Sequence, residues 1–311
     1  MMMQNQPGRG LSRSQWLRRL AQRRRDRVGF VFSGGGPLGA MQVGALKALF
    51  DHDVRPELAV GTSVGALTAT WLAFDPTPLG VARLEAKWSD LKEGDLFPGG
   101  RFKASWARML MKGDKVFENS GLRRIVENTI GPARFEDAQI PLAMTATDLD
   151  TGAEMLFTSG PVLEPLLAST AMPGIFPPVT IGDRTYIDGG VANNVPIAPA
   201  ATLGARTIYV MNSTSHSLQR RPLARPMDYL LHAFTLARAQ RLSLELEYFA
   251  DKVRLVLLPS VPLDFFVPFA SLEYTDVLIE RSYEVTKRFL EGAIDVEVEE
   301  SGAVEAIAPA K

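Results

Sequence analysis

No cysteine occurs in these 311 residues. Disulfides, thiolate nucleophiles and cysteine-ligated metals are excluded with it. Histidine is scarce, at His52, His216 and His232 alone, so any histidine-dependent chemistry has three candidates. No apolar run reaches the ~18 residues of a membrane-spanning helix. The arginine-rich start leads into no apolar stretch, so no secretion leader is expected and a cytoplasmic location is. Asn212-Ser213-Thr214 then reads as an idle glycosylation sequon. Neither sign of charge prevails, at −1 overall, and no nucleic-acid partner is expected. An apolar content of 46% with 22% charged residues is that of an ordinary folded domain with material for a sizeable core.

What is present is concentrated at three turns. Gly34-Gly35-Gly36-Pro37-Leu38-Gly39 follows the strand-like run Val28–Phe32, and Gly61-Thr62-Ser63-Val64-Gly65 follows Leu58–Val60. Each opens a helical stretch of small residues. Asp188-Gly189-Gly190 closes a third strand-like run, Thr185–Ile187. Each turn alone is common, but the three together arise by chance in roughly one chain of this length in a thousand. Placed at strand ends, they bring a serine, a carboxylate and a row of glycine amides toward one edge of a sheet.

Ser63 has a plain alternative as the N-cap of a helix over Val64–Phe74. A cap, however, does not need Gly61 and Gly65 on both sides, whereas a nucleophile on a sharp strand-to-helix elbow does. Gly34, Gly36 and Gly39 also spell the dinucleotide fingerprint, which expects an acidic residue at the end of the second strand. Here Glu57 stands at the start of that strand, and its end runs into the elbow. The same glycine geometry suits an oxyanion hole, for which Gly34, Gly35 and Gly36 with Val64 are the expected donors. Asp188 reads as the activator a nucleophilic serine requires. A histidine base is the competing reading. Ser63, Asp188, His216 follow the chain order of α/β-hydrolase triads, although His216 lies in a polar loop-like stretch and the elbow comes after only one strand.

These motifs resemble those of the patatin-like phospholipases: a glycine-rich loop, G-x-S-x-G, and D-G-G. The resemblance runs from about Val28 to Gly292 and includes the segment Ala168 to Pro178 before the Asp188 hairpin. It implies a three-layer α/β/α fold and a Ser63–Asp188 dyad without histidine. It also implies a lipid or fatty-acyl ester as substrate, and no metal or organic cofactor. An acyltransferase would use the same residues, and a non-catalytic lipid- or nucleotide-binding module is the alternative from another class. Leu38 stands where the family commonly carries Arg or Lys, so the loop would offer its amides without that cation.

Elsewhere, strands and helices alternate in the way that builds a parallel-rich sheet covered by helices. Leu142–Asp148 and Ala153–Thr158 flank a hairpin turn in which Asp148 and Asp150 are turn residues rather than metal ligands. Ile197–Leu203 is helical with Gly204 as its stop, Thr207–Met211 and Val253–Leu258 read as buried parallel strands, and 227–249 and 274–290 as helices. Three parts are expected: an arm over 1–27, the body over 28–292, and a frayed tail over 293–311. Eight arginines against Asp26 give the arm +7, which leaves the remainder at −8. Trp16, Leu17, Leu20 and Ala21 on one helical face are compatible with peripheral membrane contact, with a solvated arm, or with docking on the acidic body. Phe102, Trp106, Met109 and Leu110, within the basic stretch 101–112, likewise read as core packing or as a lipid-facing flap.

Overall fold

The computed structural model describes residues 27–96, 118–213, 226–263, 265, 267–268, 271–298 and 304–307. Most of the arm, the stretch 101–112 and His216 lie outside the described residues.

Eight strands form the main sheet: β1 (Val28–Phe32), β2 (Leu58–Thr62), β3 (Leu142–Asp148), β4 (Glu154–Phe157), β5 (Val179–Ile181), β6 (Arg184–Asp188), β7 (Thr207–Met211) and β8 (Arg254–Leu257). Their order is β5-β6-β3-β2-β1-β7-β8, with β4 paired to β3. Strands β3, β2, β1, β7 and β8 are mutually parallel, and β4, β5 and β6 make the antiparallel pairings. The central strands are apolar on both faces, as strands covered from both sides must be.

The helices are α1 (Ala40–Asp51), α2 (Val64–Phe74), α3 (Pro78–Asp90), α4 (Glu93–Leu96), α5 (Ser120–Ile130), α6 (Leu163–Ser169), α7 (Ile197–Thr202), α8 (Pro226–Phe249) and α9 (Thr275–Leu290). Strand periodicity splits the core between two helical layers. Phe30 and Phe32 of β1, Ala59 of β2 and Met144 of β3 pack with α1, α2, α3 and α9. Val31, Leu58, Val60 and Ala143 face the other way, onto α7 and onto Leu242 of α8. The result is a three-layer α/β fold.

One pairing positions the site. Along β3, parallel β2 ends with Thr62 opposite Thr145, and antiparallel β6 ends with Asp188 opposite Ala146. Because β4 covers the opposite edge of β3 from Met144 to Thr147, β2 and β6 share one edge and meet head to head. The residues leaving the two strands are therefore neighbours in space despite 125 positions between them.

The tail departs from the frayed segment expected of 293–311. It contains β9 (Asp295–Val298) and β10 (Val304–Ile307), paired antiparallel as a separate two-stranded sheet. Alternation within Asp295-Val296-Glu297-Val298 is the pattern a short strand needs.

Candidate active site

Ser63 occupies the crossing from β2 into α2 with φ 55° and ψ −126°, a left-handed conformation rare for a side-chain-bearing residue. Such a backbone costs about 1–3 kcal/mol and persists only where its surroundings impose it. The surroundings here are other backbones. A Cβ on Gly65 would strike the Phe32 carbonyl and lie 2.5 Å from that of Ser33, and one on Gly61 would strike Gly65 and lie 2.6 Å from the Ala66 nitrogen. Three chain segments meet where only glycine fits, and the serine is turned outward.

Its hydroxyl does not cap α2. Instead Ser63 Oγ donates to Asp188 Oδ2 at 2.6 Å. The Ser63 N–H donates to Ser169 Oγ at 2.9 Å, which fixes the elbow against the end of α6. Asp188 is held just as tightly. Its N–H donates to the Ala171 carbonyl at 2.9 Å, Thr147 Oγ1 donates to its carbonyl at 2.9 Å, and Oδ1 accepts the Gly190 N–H at 2.7 Å. Only 2% of Asp188 is exposed. Burial raises its carboxyl above the ordinary 3.8, while Arg238, the Ser63 hydroxyl and the Gly190 N–H pull the other way. Thr62 Oγ1 lies 2.7 Å from Thr145 Oγ1 and donates to the Asn193 carbonyl at 3.0 Å, lacing the end of β2 to the loop beyond Asp188.

The glycine loop lies beside the serine. A Cβ on Gly34 would sit 3.1 Å from that of Ser63. Buried Gln42 of α1 anchors the loop, donating to the Ser33 carbonyl at 2.8 Å and to Ser213 Oγ at 3.0 Å and accepting from Thr68 Oγ1 of α2 at 2.8 Å. One expected oxyanion donor is already used, because the Gly34 N–H donates to the Asn194 carbonyl at 3.1 Å. The amides of Gly35, Gly36 and Val64 have no acceptor among the described residues. Leu38 is buried in the core and leaves no cation on the loop.

Neither described histidine has a hydrogen bond to Ser63 or Asp188. His52 Nδ1 lies 2.8 Å from the Ala48 carbonyl at the end of α1, and His232 is on α8. Asp148 accepts from Asp150 N–H at 3.2 Å and from Thr151 Oγ1 at 2.8 Å, which is a turn role, and no cluster of three metal-ligating side chains exists among the described residues.

Three neighbours of the site do not follow from the three motifs. Ser169 lies within the segment quoted before the Asp188 hairpin, and Asn194 lies four residues after Gly190, so proximity in sequence could have drawn attention to both. Arg238 comes from α8, 48 positions beyond Gly190, and no sequence signal marks it.

Comparison with known proteins agrees with the family resemblance. The family model described as Patatin-like phospholipase matches residues 30–201. The chain belongs to the patatin-like phospholipase family. It is 28% identical over 186 residues to a patatin-like phospholipase domain-containing protein of Caenorhabditis elegans, covering 58% of this chain and 13% of the relative. It is 26% identical over 191 residues to a lysophospholipase, NTE1, of Phaeosphaeria nodorum, covering 60% of this chain and 12% of the relative. The chain thus spans only about an eighth of these relatives' length. Among solved structures, VipD from Legionella pneumophila aligns over 86% of this chain and 67% of its own, with 12% identity and a TM-score of 0.43.

Proposed function

We propose that this chain is a serine lipid acyl hydrolase, cleaving fatty-acyl esters through an acyl-enzyme on Ser63 with Asp188 as general base. The observation that carries the reading is the 2.6 Å hydrogen bond from Ser63 Oγ to a buried carboxylate. It occurs on a strained elbow beside amides that have no acceptor among the described residues.

In this reading the Oγ–H proton passes to Asp188 as Oγ adds to the ester carbonyl. The oxyanion that forms accepts from the N–H groups of Gly35, Gly36 and Val64, with the N-terminal end of α2 adding a favourable dipole. Collapse breaks the bond to the alcohol, which takes the proton from Asp188 as it leaves. Water then attacks the acyl group, gives its proton to Asp188, and the fatty acid departs as that proton returns to Ser63 Oγ. No step needs a metal or an organic cofactor. A lipid ester is the substrate class suggested by the family and by relatives named as phospholipase and lysophospholipase.

A fluorophosphonate probe tests the nucleophile, and a panel of phospholipids and lysophospholipids scored for released fatty acid tests the class. Labelling is expected at Ser63, absent in Ser63→Ala, with fatty acid released by the parent alone. A folded parent that neither labels nor releases fatty acid refutes the proposal. Transfer of the acyl chain to an added alcohol with no free acid would redefine it as an acyltransferase.

A further inference from the structure

Among the described residues, Arg238 is the charged side chain of α8 that hydrogen-bonds to the Asp188 turn. Its Nε donates to the Gly190 carbonyl at 2.8 Å, and its guanidinium lies over the Phe234 ring, 3.9 Å from the centroid. One helical turn separates Phe234 from Arg238, so the ring acts as a shelf that fixes the fork. A Cβ on Gly190 would run into the guanidinium and would lie 2.7 Å from Asn194 Oδ1. The second glycine of the turn is therefore the opening through which the arginine approaches. Asn194 is 4% exposed, and its Oδ1 is a buried acceptor without a hydrogen-bond partner among the described residues, facing that same opening.

Resting on the reading of Asp188 as general base, we propose that Arg238 is its positioning residue. It clamps the Asp188-Gly189-Gly190 turn through the Gly190 carbonyl and sets a fixed positive charge beside the buried carboxylate. The electrostatics run the same way on both partners. Among the described residues, Arg238 is the charged side chain that acts on Asp188, and Asp188 in turn opposes the effect of burial on the guanidinium. Charged groups on the neighbouring elements are engaged elsewhere. Asp148 of β3 pairs with Arg184 of β6 at 3.2 Å, and Glu164 of α6 with Arg123 of α5 at 3.5 Å. On α8 itself Arg241 pairs with Glu245 at 3.1 Å and with Glu154 of β4 at 3.6 Å. His232 lies on the same helix, six residues before Arg238.

The consequence is that a cation reaches the site from a separate helix, while the loop residue Leu38 is apolar and buried. Without that charge, only the hydrogen bonds from Ser63 and Gly190 would offset the effect of burial on the carboxylate.

The test follows kcat/KM on p-nitrophenyl butyrate across its acid limb, with melting temperature measured alongside. Arg238→Met and Arg238→Gln are expected to move the limb to higher pH by about one unit or more, since loss of a nearby opposite charge disfavours the ionised carboxylate. Arg238→Lys should leave the limb near that of the parent while lowering kcat, because a lysine keeps the charge and loses the planar fork. His232→Gln should leave the limb unchanged. A purely structural arginine would lower melting temperature with no movement of the limb, and that result would overturn the proposal. So would failure of both charge-removing variants to fold. Asp188→Asn separates the two readings: if it stays active, the base assignment fails, whereas an inactive Asp188→Asn with an unmoved limb in Arg238→Met rejects Arg238 alone.

Discussion

Ser63 and Asp188 both cost the fold stability at neutral pH. Ser63 is strained, and Asp188 is a carboxyl that burial pushes above 3.8. The folded state therefore holds the Asp188 proton more tightly than the unfolded state does. Stability from this group is fully present below the ordinary value and is lost as pH rises through the raised one. Asn at 188 can still accept from Gly190 and has nothing to ionise. Asp188→Asn is thus expected to melt at or above the parent temperature at neutral pH, with the gap closing below the ordinary carboxyl range, as scanning calorimetry would record. The same variant and Ser63→Ala should each lose at least about 10²–10⁴-fold in kcat on a soluble ester. The acid limb of the parent should lie above an ordinary carboxyl group, where a rate profile will find it. The proposed oxyanion donors were only partly legible at this scale. Three consecutive glycines suggest three donors, but the Gly34 amide is spent on Asn194, a partner 160 positions away that local sequence does not reveal.

At the scale of elements, legibility follows the source of the signal. Strands β1, β3 and β7 and helix α2 have the boundaries that apolar runs and flanking glycines announce. Strand β2 runs two residues further than its apolar stretch, because Gly61 and Thr62 pair with Met144 and Thr145 before the chain turns. Three-residue β5 is set by its pairing with β6 and has too little pattern of its own to read. Helix α8 was visible as a helix, but its apolar residues fall on no single face, so nothing foretold that Arg238 would point at the Asp188 turn. Glycines divide in the same way. Gly65→Ala places a methyl against two carbonyls that cannot retreat without unmaking β1 or the elbow. A loss of at least about 1–3 kcal/mol is expected in urea melts, together with loss of fluorophosphonate labelling. Gly94→Ala, in α4, meets nothing within 4 Å and should be neutral or stabilising by up to about 1 kcal/mol. Equal effects of the two would show that the elbow is less crowded than its geometry implies.

For the whole molecule, the two helical layers and the central parallel strands should form the last region to open. The hairpin of β9 and β10 stands outside the main sheet, and a two-stranded ribbon has little stability of its own. Deleting 295–311 while keeping buried Ile294 should leave esterase activity and melting temperature close to those of the parent. Amide exchange should be slow in 28–32, 58–62 and 142–148 and fast in 295–298. Slow exchange in the hairpin would reveal partners for it beyond its own two strands.

The head-to-head meeting of β2 and β6 also makes the distance between hydroxyl and carboxylate a discrete quantity. Each step of β6 along β3 is about 3.3 Å and turns every side chain to the opposite face. There is accordingly no half-assembled site: a register one residue out removes Asp188 from Ser63 altogether. Helices and local turns can form before that pairing is complete, but the reaction cannot begin until it is. During refolding, recovered activity should therefore lag behind recovered helical signal, and the lag measures the time the chain takes to set its register.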